Sequence, residues 1–250
     1  MNILITGATG AIGSALARRL ASSGHRLVIV ARDGVKLGAL AEELHQAISL
    51  SADLTDAAAA QSVVQEAWQS AGALDAFAHC VGSTLIKPLH LTTDAEARVQ
   101  LDINYLSAFY VLRGVVALAI KHKHRLSAVL MSSVVAHHGY PNHEVISAAK
   151  AAVAGLALSA AASYASRGIR VNIVAPGLTR SALTARFIAT PETEARSAAT
   201  IPLGRIGEPD DPAAAIEFLL SDQSAYLTGQ VITVAGGQGI LQLPPRAGAR

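Results

Sequence analysis

The sequence predicts an α/β protein built on a doubly wound parallel sheet of about seven strands, with helices on both faces. Two observations predict it. Short apolar runs rich in β-branched residues alternate with Ala- and Leu-rich stretches of helical spacing along the whole chain, which is the pattern of a parallel sheet covered on both sides. The first strand also leads directly into a glycine-rich turn that opens a helix.

The predicted elements follow one another without a Pro/Gly/Ser linker or a break in composition. Candidate strands lie at 2–6, 27–31, 47–52, 74–79, 127–132, 169–174 and 230–234, and candidate helices at 12–23, 34–46, 56–72, 94–121, 143–166 and 210–221. The stretch 179–200 is the least regular and is expected to cover a ligand. We therefore predict one domain over 1–242, followed by a flexible tail at 243–250.

The composition limits the kinds of partner that we expect the protein to bind. The chain is 51% apolar and 15% charged, which provides ample material for a core. Its most apolar stretch, 151–165, is shorter than the ~20 residues of a membrane span, and it lies between Lys150 and Arg167. A net charge of +2 does not favour nucleic acid. We expect neither a membrane nor a nucleic-acid partner.

Cysteine usage and the amino terminus indicate the compartment. Cys80 is the single cysteine, so no intrachain disulfide can form, as is usual in a reducing environment. The first residues are uncharged and already strand-like, unlike a signal peptide. We expect a cytoplasmic protein.

A phosphate-binding turn is predicted directly after the first strand. It reads Gly7-Ala8-Thr9-Gly10-Ala11-Ile12-Gly13 and opens the first helix. Glycines allow a tight turn and a close approach to a pyrophosphate, while the helix start supplies free N–H groups. The Gly-x-x-Gly-x-x-Gly spacing differs from the common Gly-x-Gly-x-x-Gly, but its place between a strand and a helix predicts dinucleotide binding.

The ends of the second and third strands bear on which dinucleotide is bound. An acidic residue at the end of the second strand would favour NAD(H), but Ala31 stands there and Arg32 follows. A guanidinium can pair with a 2′-phosphate, so we prefer NADP(H), with NAD(H) as the alternative. The other interpretation is a solvated Arg32 beside Asp33. Two roles remain open for Asp53: a contact with the ligand and a cap of the following helix.

Together with further motifs, these residues resemble the short-chain dehydrogenase/reductase family over nearly the whole chain. The additional motifs are Asp102-Ile103-Asn104, Met131-Ser132-Ser133, Ala148-Ala149-Lys150-Ala151-Ala152, the run from Gly168 to Gly177, the run from Pro202 to Pro209, and Leu227-Thr228-Gly229-Gln230 with Gly236-Gly237 after it. The resemblance implies a Rossmann fold and an NAD(P)(H)-dependent oxidoreductase.

The resemblance also implies residue roles and an assembly. Asn104, Ser133 and Lys150 would occupy three of the four positions of the family's catalytic tetrad, and Asp53 would contact the adenine. The cofactor would be bound by Gly7, Thr9, Gly10, Ile12, Gly13, Arg32, Asp53, Leu54, Gly82, Lys150, Pro176, Gly177, Thr179 and Ser181. Helices 94–121 and 143–166 would form a homodimer or homotetramer.

Three features depart from the family pattern. The glycine turn has the spacing of a longer, epimerase-like branch. The family's Asn-Asn-Ala-Gly after the fourth strand is here His79-Cys80-Val81-Gly82. The family's Tyr-x-x-x-Lys signature is also broken, since the residue four before Lys150 is Ile146. Ile146 is also thirteen residues after Ser133, where the tyrosine belongs, so both counts agree that the tyrosine is absent.

The isoleucine removes the family's proton donor. Loss of a positioned general acid costs about 10²–10⁴-fold in rate, whereas cofactor binding does not depend on the tyrosine hydroxyl. The replacement candidates on the same loop are His137, His138, Tyr140 and His143. His143 comes first because it lies three residues before Ile146, although a loop histidine is more often a surface residue or a cap.

Three functions remain open from the sequence. The leading one is an NADP(H)-dependent oxidoreductase that reduces a carbonyl, quinone or enone small molecule, with a substrate side at 83–91 and 179–200. The alternatives are a catalytically silent dinucleotide-binding protein and a non-redox enzyme such as a lyase or isomerase. No histidine has the spacing of a zinc-protease motif, so we expect no metal.

Overall fold

A seven-stranded parallel sheet forms the centre of the molecule in the computed structural model, which describes residues 1–241. The strands are β1 (Asn2–Thr6), β2 (Arg26–Ala31), β3 (Ile48–Ser51), β4 (Ala76–His79), β5 (Leu126–Met131), β6 (Ile169–Pro176) and β7 (Val231–Val234). Their order in the sheet is β3-β2-β1-β4-β5-β6-β7. The predicted fold class is confirmed, and each strand boundary lies within two residues of the prediction.

Helices cover both faces of the sheet. They are α1 (Ala11–Ser22), α2 (Gly34–Glu43), α3 (Ala57–Ala71), α4 (Asp94–Leu101), α5 (Ser107–Lys121), α6 (Glu144–Tyr164), α7 (Pro191–Ala198) and α8 (Asp210–Leu220). One core joins the sheet to α3, α5 and α6, and the other joins it to α1, α2 and α8. The five inner strands are buried on both faces, which explains why they are mostly apolar runs rather than alternating ones, whereas the edge strands β3 and β7 are partly exposed.

Two elements differ from the sequence prediction. The helix predicted at 94–121 is interrupted by a π-helical turn at Asp102–Leu106, between α4 and α5. The stretch 179–200, predicted to be irregular, contains α7. This helix is short and polar, so no apolar period marks it. Its local signals are Thr190 as N-cap and Pro191 in the first turn.

The strand order creates the crevice in which ligands bind to such sheets. From β1 the chain moves outward to β2 and β3, and it then returns to place β4 on the other side of β1. The connections after β1 and β4 therefore diverge at the carboxyl edge, which is the switch point that doubly wound folds use for ligands. The glycine turn and Gly82 lie at this point.

Two helical stretches, Asp94–Lys121 and Glu144–Arg167, are long and apolar enough to cross a membrane by length and composition alone. In the structure both contribute to the core on one face of the sheet. The tail predicted at 243–250 lies outside the described residues.

Candidate active site

A cleft of about 1040 Å³ opens along the carboxyl edge of the sheet. The predicted site residues that line it are Gly7, Thr9, Gly10, Ile12, Arg32, Asp53, Leu54, Gly82, Ser133, Tyr140, His143, Lys150, Pro176, Gly177, Thr179 and Ser181. Of the predicted cofactor-binding and tetrad residues, Gly13 and Asn104 are not part of its lining. Residues that are far apart in the chain thus meet in one continuous groove.

The glycine turn provides an open anion site at the start of α1. Asp33 and Asp56 accept hydrogen bonds at the starts of α2 and α3, but Gly10 provides no side-chain cap to α1. The first N–H groups of a helix lack intrahelical partners, and the dipole favours an anion there. Gly13 lies behind the turn, and a Cβ on it would be 2.3 Å from the Gly7 carbonyl oxygen. The turn therefore fits a pyrophosphate.

Two cationic side chains, Arg32 and Lys36, line the far end of the cleft together with two carboxylates, Asp33 and Asp53. Arg32 lines it with a largely exposed side chain, and one guanidinium nitrogen is 3.9 Å from the Asp53 carboxylate. Asp33 does not hold Arg32, because it caps α2 and pairs with Lys36 at 3.3 Å. Lys36 also lines this end and was not predicted from the sequence. Arg32 is therefore available to a bound phosphate.

Asp53 is held by its own turn rather than by a helix. Its Oδ1 accepts hydrogen bonds from the Thr55 backbone N–H at 3.0 Å and from the Thr55 hydroxyl at 2.8 Å. These bonds lower the pKa of Asp53, so the carboxylate stays ionised. Asp56 is the residue that caps α3. The helix-cap interpretation of Asp53 is therefore wrong.

His79 ends β4 beneath the cleft and is 1% exposed. Its Nδ1 is 2.8 Å from the Thr6 hydroxyl, and its Nε2 is 3.0 Å from the Ser107 hydroxyl. Ser107 donates its own proton to the Ile103 carbonyl, so Nε2–H donates to Ser107 and Thr6 donates to Nδ1. Burial, with the positive charge of Lys150, lowers the pKa of His79 to about 3.

Asn104 supports the cleft wall from behind. The π turn directs its side chain inward, and its Oδ1 accepts the Ser83 backbone N–H at 3.1 Å. Its amide donates to the Gln100 carbonyl at 2.9 Å and to the Ser83 hydroxyl at 3.0 Å. A Cβ on Gly82 would lie 3.4 Å from Oδ1 and 3.3 Å from the Lys150 ammonium. In this structure Asn104 positions the segment after β4.

Lys150, Ser133 and the apolar Ile146 all line the cleft. The Lys150 ammonium is buried and donates to the Met131 carbonyl at 3.1 Å. Burial lowers its pKa to about 8. The Ser133 hydroxyl has only long contacts, 3.4 Å to the Pro176 carbonyl and 3.4 Å from the Val135 N–H. Ile146 is 3% exposed and lines the cleft where the family's tyrosine would be.

Beyond Lys150 and Ser133, many of the side chains that line the cleft are apolar. Those lining it include Ile86, Val135, Ile146, Leu178, Leu183 and Phe187. Of the four predicted replacement donors, Tyr140 and His143 line the cleft, and His137 and His138 do not. In residues 1–241 no group of three or more His, Cys, Asp or Glu side chains is placed to hold a metal ion.

A turn near the end of the described residues braces the segment that follows β6. Gln238 lines the cleft, and its side-chain oxygen accepts the Leu178 backbone N–H at 3.0 Å. A Cβ on Gly177 would be 2.7 Å from that oxygen and from the Ala235 Cβ. Sequence reasoning missed Gln238, because no motif marks it and its partner is sixty residues away.

Comparisons with known proteins agree with this geometry. Residues 7–238 match the family model described as enoyl-(acyl carrier protein) reductase. The chain is 37% identical to cis-4-hydroxycyclohexanecarboxylate dehydrogenase of Sinomonas cyclohexanicum, with 94% of each chain covered. It is 34% identical to the 3-oxoacyl-[acyl-carrier-protein] reductase FabG of Thermotoga maritima, covering 94% of this chain and 96% of the relative.

A solved structure extends the similarity to three dimensions. The short-chain type dehydrogenase/reductase from Mycobacterium ulcerans superposes with a TM-score of 0.91 at 30% identity, covering 96% of this chain and 90% of that one. Fold, glycine turn, cleft and sequence similarity therefore agree along nearly the whole length. The chain belongs to the short-chain dehydrogenase/reductase family of oxidoreductases, which bind nicotinamide dinucleotides.

Proposed function

We propose that this protein is an NADPH-dependent reductase of a small, uncharged carbonyl, quinone or enone compound, acting without the family's tyrosine. The observation that carries the proposal is that Lys150, Ser133 and Ile146 line one cleft. The same cleft extends from the glycine turn to Phe187.

The residues present fit a nicotinamide dinucleotide, which supplies a hydride when it is bound in its reduced form. The uncapped start of α1 would bind the pyrophosphate, and Arg32 would pair with a 2′-phosphate. Lys150 would hold the nicotinamide ribose. The segment Pro176-Gly177, with Thr179 and Ser181 after it, would lie along the nicotinamide and its carboxamide.

The missing tyrosine restricts the substrates that react well. An oxygen that gains negative charge needs a proton or a hydrogen bond, and Ile146 offers neither. Quinones and enones spread the developing charge over several atoms, so they need less help from a general acid. The Ser133 hydroxyl, with its long and weak contacts, can orient such an oxygen.

Turnover against a substrate panel tests the proposal. NADPH oxidation would be followed with aldehydes, ketones, quinones and enones, for the wild type and for Ser133→Ala. We expect turnover of the delocalised acceptors, reduced about 10²-fold or more in Ser133→Ala. NADPH binding without turnover of any acceptor would favour the silent dinucleotide-binding alternative. Product formed at constant nicotinamide absorbance would favour the non-redox one.

Cofactor choice gives a separate prediction. Arg32→Ala should weaken NADPH binding by about 10–150-fold, since a hydrogen-bonded charge contributes about 1.5–3 kcal/mol, and should leave NADH binding unchanged. Fluorescence titration of the protein with each nucleotide measures both affinities. Arg18→Ala is the control, because Arg18 is also exposed and pairs with Glu43 outside the cleft lining. Equal losses for both nucleotides would contradict the assignment.

We also propose that the protein is cytoplasmic and assembles as a homodimer or homotetramer through 94–121 and 143–166. Both stretches are strongly apolar, yet less than half of the most apolar 18-residue segment of each is buried in the single chain. Leu158 on α6 is 58% exposed, and Val99 on α4 is 49% exposed. Light scattering after gel filtration would give the mass in solution, and a monomer at micromolar concentration would contradict the assembly.

A further inference from the structure

His143 lies at the amino-terminal end of α6, on the side of the helix that faces the cleft. It occupies the N-cap position of α6, and it lines the cleft together with Ile146 and Lys150. Spacings of three and seven residues keep these side chains on one face of a helix. The imidazole is thus close to the place that a tyrosine hydroxyl at position 146 would serve.

The hydrogen bonding of His143 determines which nitrogen can exchange a proton. Its Nδ1 lies 2.7 Å from the Pro141 carbonyl oxygen. A carbonyl only accepts, so Nδ1 carries a hydrogen in both charge states. Within residues 1–241, Nε2 has no hydrogen-bond partner. It is therefore a free acceptor in the neutral ring and a free donor in the imidazolium.

The other three candidates are placed less well. His137 is exposed and does not line the cleft. The ring of His138 packs against Gly239, 2.8 Å from where a Cβ would lie, and is also outside the lining. Tyr140 lines the cleft, but its hydroxyl lies 3.2 Å from the same Cβ position, and burial raises the pKa of its phenol.

From these observations we infer that His143 donates, through Nε2, the proton that accompanies carbonyl reduction in this protein. The inference rests on the proposed function. As the carbonyl carbon gains the hydride supplied by NADPH, its π electrons move onto the oxygen, and that oxygen takes the Nε2 proton. The products are an alcohol, NADP⁺ and a neutral His143. Solvent protonates the ring again, because His143 is only half buried.

The charged groups around His143 are few among the described residues. The Tyr140 ring packs against it at 5.7 Å between centroids, and Glu144 follows it in sequence. Lys150 lies two turns further along α6. On the segment after β4, Lys87 bonds the Asn142 carbonyl through its backbone N–H and pairs its ammonium with Glu96. Within residues 1–241, no carboxylate forms an ion pair with the His143 imidazole.

His143→Asn is the test variant, because asparagine can cap α6 but cannot carry the proton. In His143→Asn we expect kcat to be about 10²-fold lower than in the wild type, the loss expected when a positioned general acid is removed. NADPH affinity, measured separately by fluorescence, should be unchanged. His138→Gln is the control and should behave as the wild type.

A readout independent of turnover comes from nitrogen chemical shifts of the histidine rings in the protein alone. We expect the neutral His143 ring to carry its hydrogen on Nδ1, and the Nε2–H tautomer would overturn the inference. Wild-type kcat in His143→Asn, or a loss of kcat in Tyr140→Phe instead, would overturn it too. If the variant fails to fold, His143→Gln replaces it. Absence of turnover by the wild type would overturn the proposed function itself.

Discussion

Replacement of Ile146 by tyrosine is expected to raise kcat/KM for unactivated ketones by about 10²–10⁴-fold, the range that a positioned general acid contributes. Position 146 lines the cleft and is one helical turn before Lys150, whose ammonium is buried nearby. A phenol placed there would gain a proton-donating hydroxyl beside a positive charge, which lowers the pKa of a phenol. Steady-state NADPH oxidation with a simple ketone measures the gain.

Ile146→Phe separates proton donation from packing. It introduces the same ring without the hydroxyl, so the overpacking cost of about 1–3 kcal/mol should be shared by both variants. Only the tyrosine variant should gain activity towards ketones. Equal kinetics of the two variants would mean that a hydroxyl at 146 does not reach the substrate oxygen.

The same substitution also tests the role of His143. If the imidazole is the natural donor, a tyrosine at 146 should make it dispensable. The double variant Ile146→Tyr/His143→Asn should then keep most of the activity of Ile146→Tyr, although His143→Asn alone is impaired. Residues that share one task show such non-additive effects. If His143→Asn lowers the activity by the same factor in the presence and in the absence of Ile146→Tyr, the two residues act independently and the shared role is contradicted.

A second large effect is expected on stability in mild acid. The free energy of unfolding should fall by about 2 kcal/mol between pH 6.5 and pH 5 because of His79. The unfolded chain takes up a proton at this residue below about pH 6.5, whereas the folded protein keeps the ring neutral down to about pH 3. In that window the unfolded state binds more protons, so acidification favours unfolding.

Urea denaturation at a series of pH values measures this dependence, and His79→Asn isolates its source. At pH 7 the variant should be about 1–3 kcal/mol less stable, because buried hydroxyls of Thr6 and Ser107 lose a partner. Its stability should then change little between pH 6.5 and 5. His25→Asn is the control: the pKa of His25 is also lowered, but this residue is less buried. If the free energy of unfolding of His79→Asn still falls by the same amount between pH 6.5 and pH 5, another residue causes the effect.

Much of the site was predictable because its geometry is local. The glycine turn must lie at the end of β1 and the start of α1, since strand, turn and helix are continuous in the sequence. Ile146 and Lys150 must share a face of α6, since they are four residues apart. Ser133 is the second residue after the end of β5, so it had to lie at the carboxyl edge of the sheet.

Other features had no local signal strong enough to decide them. The π turn carrying Asn104 interrupts a stretch whose helical period continues on both sides, so the sequence predicts one unbroken helix. Asp53 and Asp56 both stand where a cap of α3 could be, and only the structure shows that Asp56 accepts the Ala59 N–H. The interaction of Gln238 with Leu178 joins segments that are distant in the chain.

By itself, the sequence determined the fold class, the dinucleotide-binding turn, the family and the absence of a hydroxyl at 146. These depend on periodicity and on short spacings, which the backbone translates directly into geometry. The sequence already put His143 first among the four loop candidates for proton donor, but only the tertiary structure showed that His143 and Tyr140 line the cleft and that His137 and His138 do not. Their positions depend on long-range contacts of the 137–143 loop, with Lys87 on one side and Gly239 on the other, and spacing within the loop does not determine those contacts.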